Sequence, residues 1–177
     1  MTRSRIVTFR IDEDVISMVQ QESQRLHINL NNMANQIMKS YTDWDMLQAR
    51  AGTIPIAKPF LIELLSKVSN EPRGVSIATN VGKNTMKEIV LFMKNKMDLD
   101  SFLTWLELWL RKNSTAGYNH TIDDTTYVHT YIMKHDLGEK WSLYHKVVLD
   151  LIFNEVLQKP LLGLTSSNML ITFSFKR

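Results

Sequence analysis

The strongest constraint on this chain lies in its first fifty or so residues. They hold one short alternating stretch and two amphipathic helical stretches, with too few apolar side chains to close a core. Residues 6–11 read Ile-Val-Thr-Phe-Arg-Ile, which puts Val7, Phe9 and Ile11 on one face of a predicted strand and Thr8 and Arg10 on the other. Asp12 offers an N-cap, followed by Glu13 and Asp14 where the helix dipole favours anions. Val15, Met18, Val19, Glu22 and Leu26 recur at helical spacing, and this helix is expected to stop near His27. Asn29 is a second cap, ahead of a stripe of Met33, Ala34, Ile37, Met38 and Tyr41 that predicts a second helix running to about Ala51. So small a unit rarely outweighs its own chain entropy, and a lone strand leaves its backbone groups unpaired. Both difficulties vanish if two chains pair their strands antiparallel and interlock their helices, so a homodimer is expected.

The segments Val7-Thr-Phe-Arg-Ile-Asp-Glu-Asp-Val15 and Leu26-His-Ile-Asn-Leu-Asn-Asn-Met-Ala-Asn-Gln-Ile-Met38 resemble the ribbon-helix-helix family, which includes the Arc and MetJ repressors. The resemblance covers residues 3–45. It implies a dimeric two-stranded ribbon that enters the major groove of double-stranded DNA. By position, Ile6, Thr8 and Arg10 would read bases, with Ile6 limited to shape and methyl groups. Arg3, Arg5, Asn29, Leu30 and Asn31 would hold phosphates, the last three around the free amides of the second helix. Position 27 departs from the family, which usually has Gly there, although His tolerates a left-handed turn better than most residues. The competing reading is a strand-helix-helix unit used only for dimerisation.

Charge alone does not make this a nucleic-acid binder. The net charge is +3, and residues 1–45 carry five Lys/Arg against six Asp/Glu, leaving that segment at −1. Three of those five cations, Arg3, Arg5 and Arg10, fall in the first ten residues, so placement rather than total charge must act. There is no cysteine, which excludes disulfides and thiolate chemistry. No apolar run is long enough to span a bilayer and no signal-like segment opens the chain, so a cytoplasmic protein without membrane contact is expected.

Two prolines and a glycine in Gly52–Pro59 predict a connector between a DNA-binding domain at 1–51 and a second domain at 60–177. Three helices should follow it. The first carries Phe60, Leu61, Leu64, Leu65 and Val68. The second, about Val75 to Lys96, carries Ile77, Val81, Ile89, Val90 and Met93, with Gly82 as a weak point. The third starts at an Asp98 or Asp100 cap and carries Phe102, Leu103, Leu106 and Trp109. A hairpin closed on Asp123–Thr126 is expected next, then a helix from Glu139 to about Gln158 ended by Pro160, then a strand with Met169, Ile171, Phe173 and Phe175 on one face. The whole is α+β. The order of elements in the second domain loosely resembles the vinyl-reductase-like sensor domains appended to some regulators.

The predicted hairpin sets Ile122 opposite Tyr127, His120 opposite His129 and Tyr118 opposite Tyr131. Facing histidines suit a metal ion or a pH switch, but two imidazoles make a weak metal site, and His135 would lie too far along the strand to complete it. No metal or other cofactor is expected, and the pair should titrate near pH ~6–7 and repel when doubly charged. Glu139, Asp150 and Glu155 lack the isolation of catalytic carboxylates, His135-Asp136 fits a helix start, and no phosphate loop or nucleophile signature occurs. Lys67, Arg73, Lys83, Lys87, Lys94 and Lys96 read as a solvated face. The sequence therefore points to a non-enzymatic, homodimeric transcriptional regulator of repressor type, whose C-terminal domain senses a small molecule or builds higher oligomers. The alternative is an antitoxin-like protein that neutralises a partner enzyme.

Overall fold

The computed structural model describes residues 5–67, 76–113 and 117–177. The chain divides into two compact units, 1–48 and 49–177. Among the described residues no helix is long and apolar enough to cross a membrane.

The first unit is helical. Helix α1 (Glu13–Arg25) starts after Asp12, and helix α2 (Leu30–Ser40) runs on through a π-helical turn (Tyr41–Asp45) and a last short turn (Met46–Gln48). The end of α1 is locally encoded. His27 sits in the left-handed region at φ 54°, its N–H bonds the Gln24 carbonyl, and the Ile28 N–H reaches back to the Ser23 carbonyl. This is the Schellman arrangement, here with His where glycine is common.

The structure corrects the N-terminal strand and with it the dimeric two-stranded ribbon. Residues 5–12 take no regular secondary structure, helix begins at Glu13, and every described strand lies in the second unit. The physical reason is that a strand exists through its ladder. Alternation of Val7, Phe9 and Ile11 supplies a face, but no described segment of this chain pairs with it to take its N–H and C=O groups.

The second unit is α+β. Its helices are α3 (Lys58–Lys67), α4 (Lys83–Lys94, entered through a π-helical turn, Ala78–Gly82), α5 (Leu99–Asn113) and α6 (Glu139–Leu151, extended by a π-helical turn, Ile152–Val156). Asp98, not Asp100, caps α5: its carboxylate accepts the Ser101 N–H at 2.9 Å. Val68, Arg73 and Val75 lie outside the described residues.

Strands β1 (Tyr118–Asp123), β2 (Val128–Lys134), β3 (Gly163–Ser166) and β4 (Leu170–Lys176) form one antiparallel sheet in the order β1-β2-β4-β3. Odd residues of β2 and β4 are buried and even ones are not, the period-2 pattern of a sheet covered on one face. The sheet departs from expectation in two places. Strand β3 is additional, in a stretch whose residues show no strand pattern. The first hairpin is also shifted by two residues, with Tyr118 opposite Met133, His120 opposite Tyr131 and Ile122 opposite His129. The turn is longer than expected because Asp123 accepts N–H bonds from Thr125 and Thr126, while Tyr127 takes a left-handed φ of 55°. A shift of two keeps every side chain on its face.

The core joins the covered sheet face to α5 and α6. Phe153, in the π-helical turn, meets Phe102 edge-on at 5.7 Å and packs on Phe173 and Phe175 at 5.6 and 5.1 Å, and all four rings are fully buried. Gly82 is a contact point and not a weak point. A Cβ there would stand 2.5 Å from Val148 Cγ2 and 2.7 Å from the Tyr144 hydroxyl, so α6 approaches that turn at a distance only glycine permits.

Candidate functional site

In the first unit, helix α2 begins with Asn29 as its cap. The Asn29 side-chain oxygen accepts the Asn32 N–H at 2.8 Å. One of the four amides that a helix start leaves unbonded is thereby satisfied, and the amides of Leu30 and Asn31 remain ahead of it. Asn29 and Asn31 are exposed and Leu30 is half-buried. Arg5, Ile6, Thr8 and Arg10 are all exposed, with Ile6 at 95%. Arg3 lies outside the described residues. The segment and the helix cap are thus both open to solvent.

The apolar side chains of this unit are largely uncovered. Among its described residues only Ser23 and Trp44 are buried. Phe9 is 61% exposed and Met18 69%, while Val7, Ile11, Val15, Leu26, Ile37, Met38 and Tyr41 are exposed as well. Exposed apolar side chains in such number on one small unit point to a surface that a partner covers.

The second unit holds a polar cluster on the covered face of the sheet. His120 Nε2 lies 3.0 Å from His129 Nδ1, so the rings meet diagonally across the shifted register. His120 also stacks on Tyr131 with centroids 4.0 Å apart, and His129 stacks on Phe175 at 5.4 Å. Helix α5 adds Glu107, whose Oε1 accepts the Tyr131 hydroxyl at 3.0 Å and stands 3.7 Å from His120 Nδ1. Burial pushes both histidines below the ordinary imidazole range. Glu107 opposes that shift at His120, while the His120 charge and Arg177 add to it at His129. The Tyr131 hydroxyl is held well above the usual phenol range by burial and by Glu107. Glu107 and His129 approach opposite nitrogens of the His120 ring, which makes a chain of hydrogen bonds and not a chelate. Among the described residues no group of three or more His or carboxylate side chains could hold a metal.

A second pair looks catalytic at first sight. His135 Nε2 is 2.7 Å from Ser142 Oγ, both buried at the start of α6. The tautomer decides its role. The Leu137 N–H donates to His135 Nδ1 at 3.3 Å, so the ring proton sits on Nε2 and donates to the serine oxygen. A base must instead accept the serine proton. The pair is a structural bond that anchors the start of α6. Nearby His145 is buried between Trp141 and Trp109, at centroid distances of 4.2 and 5.4 Å. Its Nδ1 donates to the Trp141 carbonyl, and burial pushes its pKa down to about 4.

Sequence reasoning finds His120 and His129 but misses Glu107 and Arg177, since a glutamate on an amphipathic helix and a terminal arginine carry no spacing signal. Comparison with family models, with curated proteins and with solved structures finds no match.

Proposed function

We propose that the protein is a homodimeric, sequence-specific DNA-binding regulator of the cytoplasm, with its first unit as the dimerising and DNA-contacting part. The observation that carries this reading is the uncovered apolar surface of residues 6–41. Burying a large apolar side chain is worth about 1.5–3 kcal/mol. Covering those exposed here supplies apolar burial of the same order as the roughly 4–15 kcal/mol that association costs in lost freedom. Pairing two copies also gives the DNA contacts a two-fold arrangement, which suits paired half-sites.

In this reading Thr8 and Arg10 contact base edges, Ile6 meets methyl groups, and Arg5 with the Asn29–Asn31 helix start holds phosphates. An exposed arginine makes a bidentate contact to guanine, and exposed amides at a helix start bind a phosphate oxygen. The second unit, with its own core, senses a small molecule or builds larger assemblies.

Two measurements on the full chain test the proposal. Sedimentation equilibrium should return a dimer at micromolar concentration, and Met18→Asp should shift it toward monomer. Selection from a random duplex pool should return a two-fold site. Arg10→Ala should then lower affinity by about 1–3 kcal/mol for each base interaction it removes, and relax one position per half-site. A monomeric wild-type protein, or selection that enriches no sequence, would defeat the proposal.

A further inference from the structure

The histidine pair spans the one ladder that bonds β1 to the sheet. β1 is bonded only to β2 among the described strands, so the contacts across that one ladder, and those β1 makes with α5, hold it in place. His120 is on β1 and His129 on β2, and their nitrogens lie 3.0 Å apart. The groups around them come from every neighbouring element. α5 contributes Glu107 and Arg111, which donates to the Tyr118 hydroxyl at 3.4 Å. β1 contributes Tyr118, β2 contributes Tyr131, and the end of β4 contributes Phe175 with Arg177 beyond it. Asp123 is taken up by the turn, and Asp100 pairs with Arg177 at 2.5 Å.

We propose that His120 and His129 form a one-proton relay that clamps β1 to the sheet, and that a second proton opens the clamp. With both rings neutral, one arrangement satisfies every facing atom. His129 Nδ1–H donates to His120 Nε2, and His120 Nδ1–H points at the Glu107 carboxylate, which already accepts from Tyr131. The other tautomer would set a bare His120 Nδ1 against that carboxylate, lone pair against anion. One added proton enters at His129 Nε2. The Nδ1 proton of His129 then passes to His120 Nε2, the N–H···N bond reverses, and the positive charge comes to rest beside Glu107. The contact between the rings survives. A second proton leaves an N–H on each of the two facing nitrogens, and two donors at hydrogen-bond distance repel. Among the described groups no further acceptor faces them, and Arg177 adds to the repulsion. β1, with no described strand on its outer side, is the element free to yield.

The test is a titration of the isotopically labelled full chain by NMR. Imidazole nitrogen shifts report which atom carries each proton, and amide exchange reports strand opening. At neutral pH both Nδ1 atoms should be protonated. The first proton should leave exchange in β1 unchanged. The second should remove protection from the β1 amides while those of β4 stay protected. Glu107→Gln should move the first step to lower pH, and His129→Phe, which keeps a ring against Phe175 and His120, should carry β1 protection to lower pH than wild type. Independent single-step titration of the two rings, the opposite tautomers, or simultaneous loss of protection in β1 and β4 would each overturn the proposal. These three outcomes are read on the wild-type chain, so they stand even if a variant fails to fold.

Discussion

Replacing Gly82 with alanine would ordinarily stabilise a helix. Alanine is about 0.8–1 kcal/mol better than glycine in a helix interior, and Gly82 has ordinary right-handed angles, φ −59° and ψ −49°. Here the tertiary contact reverses the sign. The new Cβ would stand 2.5 Å from Val148 Cγ2, where unstrained carbon pairs sit at about 3.5–4.0 Å. Val148 is fully buried on α6, and a β-branched side chain in a helix has one strongly preferred rotamer, so it has nowhere to swing. Tyr144 is half-buried and its ring can tilt, but its hydroxyl at 2.7 Å blocks the other direction. The helices must therefore separate. Overpacking of this kind costs about 1–3 kcal/mol, so it cancels the propensity gain and leaves a net loss of about 0–2 kcal/mol. Urea unfolding followed by tryptophan fluorescence should show it, along with a melting point a few degrees lower. Val148→Ala removes the obstructing methyl, so the double variant should be more stable than the sum of the single changes by about 0.5 kcal/mol or more. A Gly82→Ala protein more stable than wild type by the full propensity gain of about 0.8–1 kcal/mol would refute the close-approach argument.

Three further outcomes follow from the second unit. Phe153→Ala removes the ring that joins α5 to the sheet and should cost about 3–5 kcal/mol in the same unfolding assay; a loss under about 1 kcal/mol would show that this junction is not the centre of the core. Ser142→Ala leaves the buried His135 Nε2–H without its acceptor and should cost about 1–3 kcal/mol, whereas a neutral result would mean that water replaces the hydroxyl. His145 gives a pH signature. Its folded pKa is depressed to about 4 from an ordinary 6.5, so an unfolded chain binds its proton first as pH falls. The stability it contributes is complete above about pH 6.5 and is lost progressively toward pH 4, by about 3 kcal/mol in total. His145→Phe should flatten unfolding free energy over that window, and an unchanged slope would place the proton uptake elsewhere.

The features legible in the residues alone are local. The stop of α1 at His27, the Asn29 cap and the helical stripes of α4, α5 and α6 depend on residues a few positions apart, and each follows from spacing and cap chemistry. The parity of the first hairpin is equally legible, which is why His120 and His129 share a face even though their register is two residues away from the simplest closure of the turn. Tertiary structure decides the rest. Residues 6–11 alternate like a strand but form none, because a ladder needs a neighbour that the described chain does not place there. β3 carries no pattern of its own and is a strand only because β4 supplies its bonds. Gly82 reads as a weak helical position until α6 is laid against it. Glu107 is an ordinary surface glutamate until α5 crosses the sheet and sets its carboxylate between Tyr131 and His120. In each case the deciding partner is distant in the chain, and spacing along a sequence carries no information about a contact made across a fold.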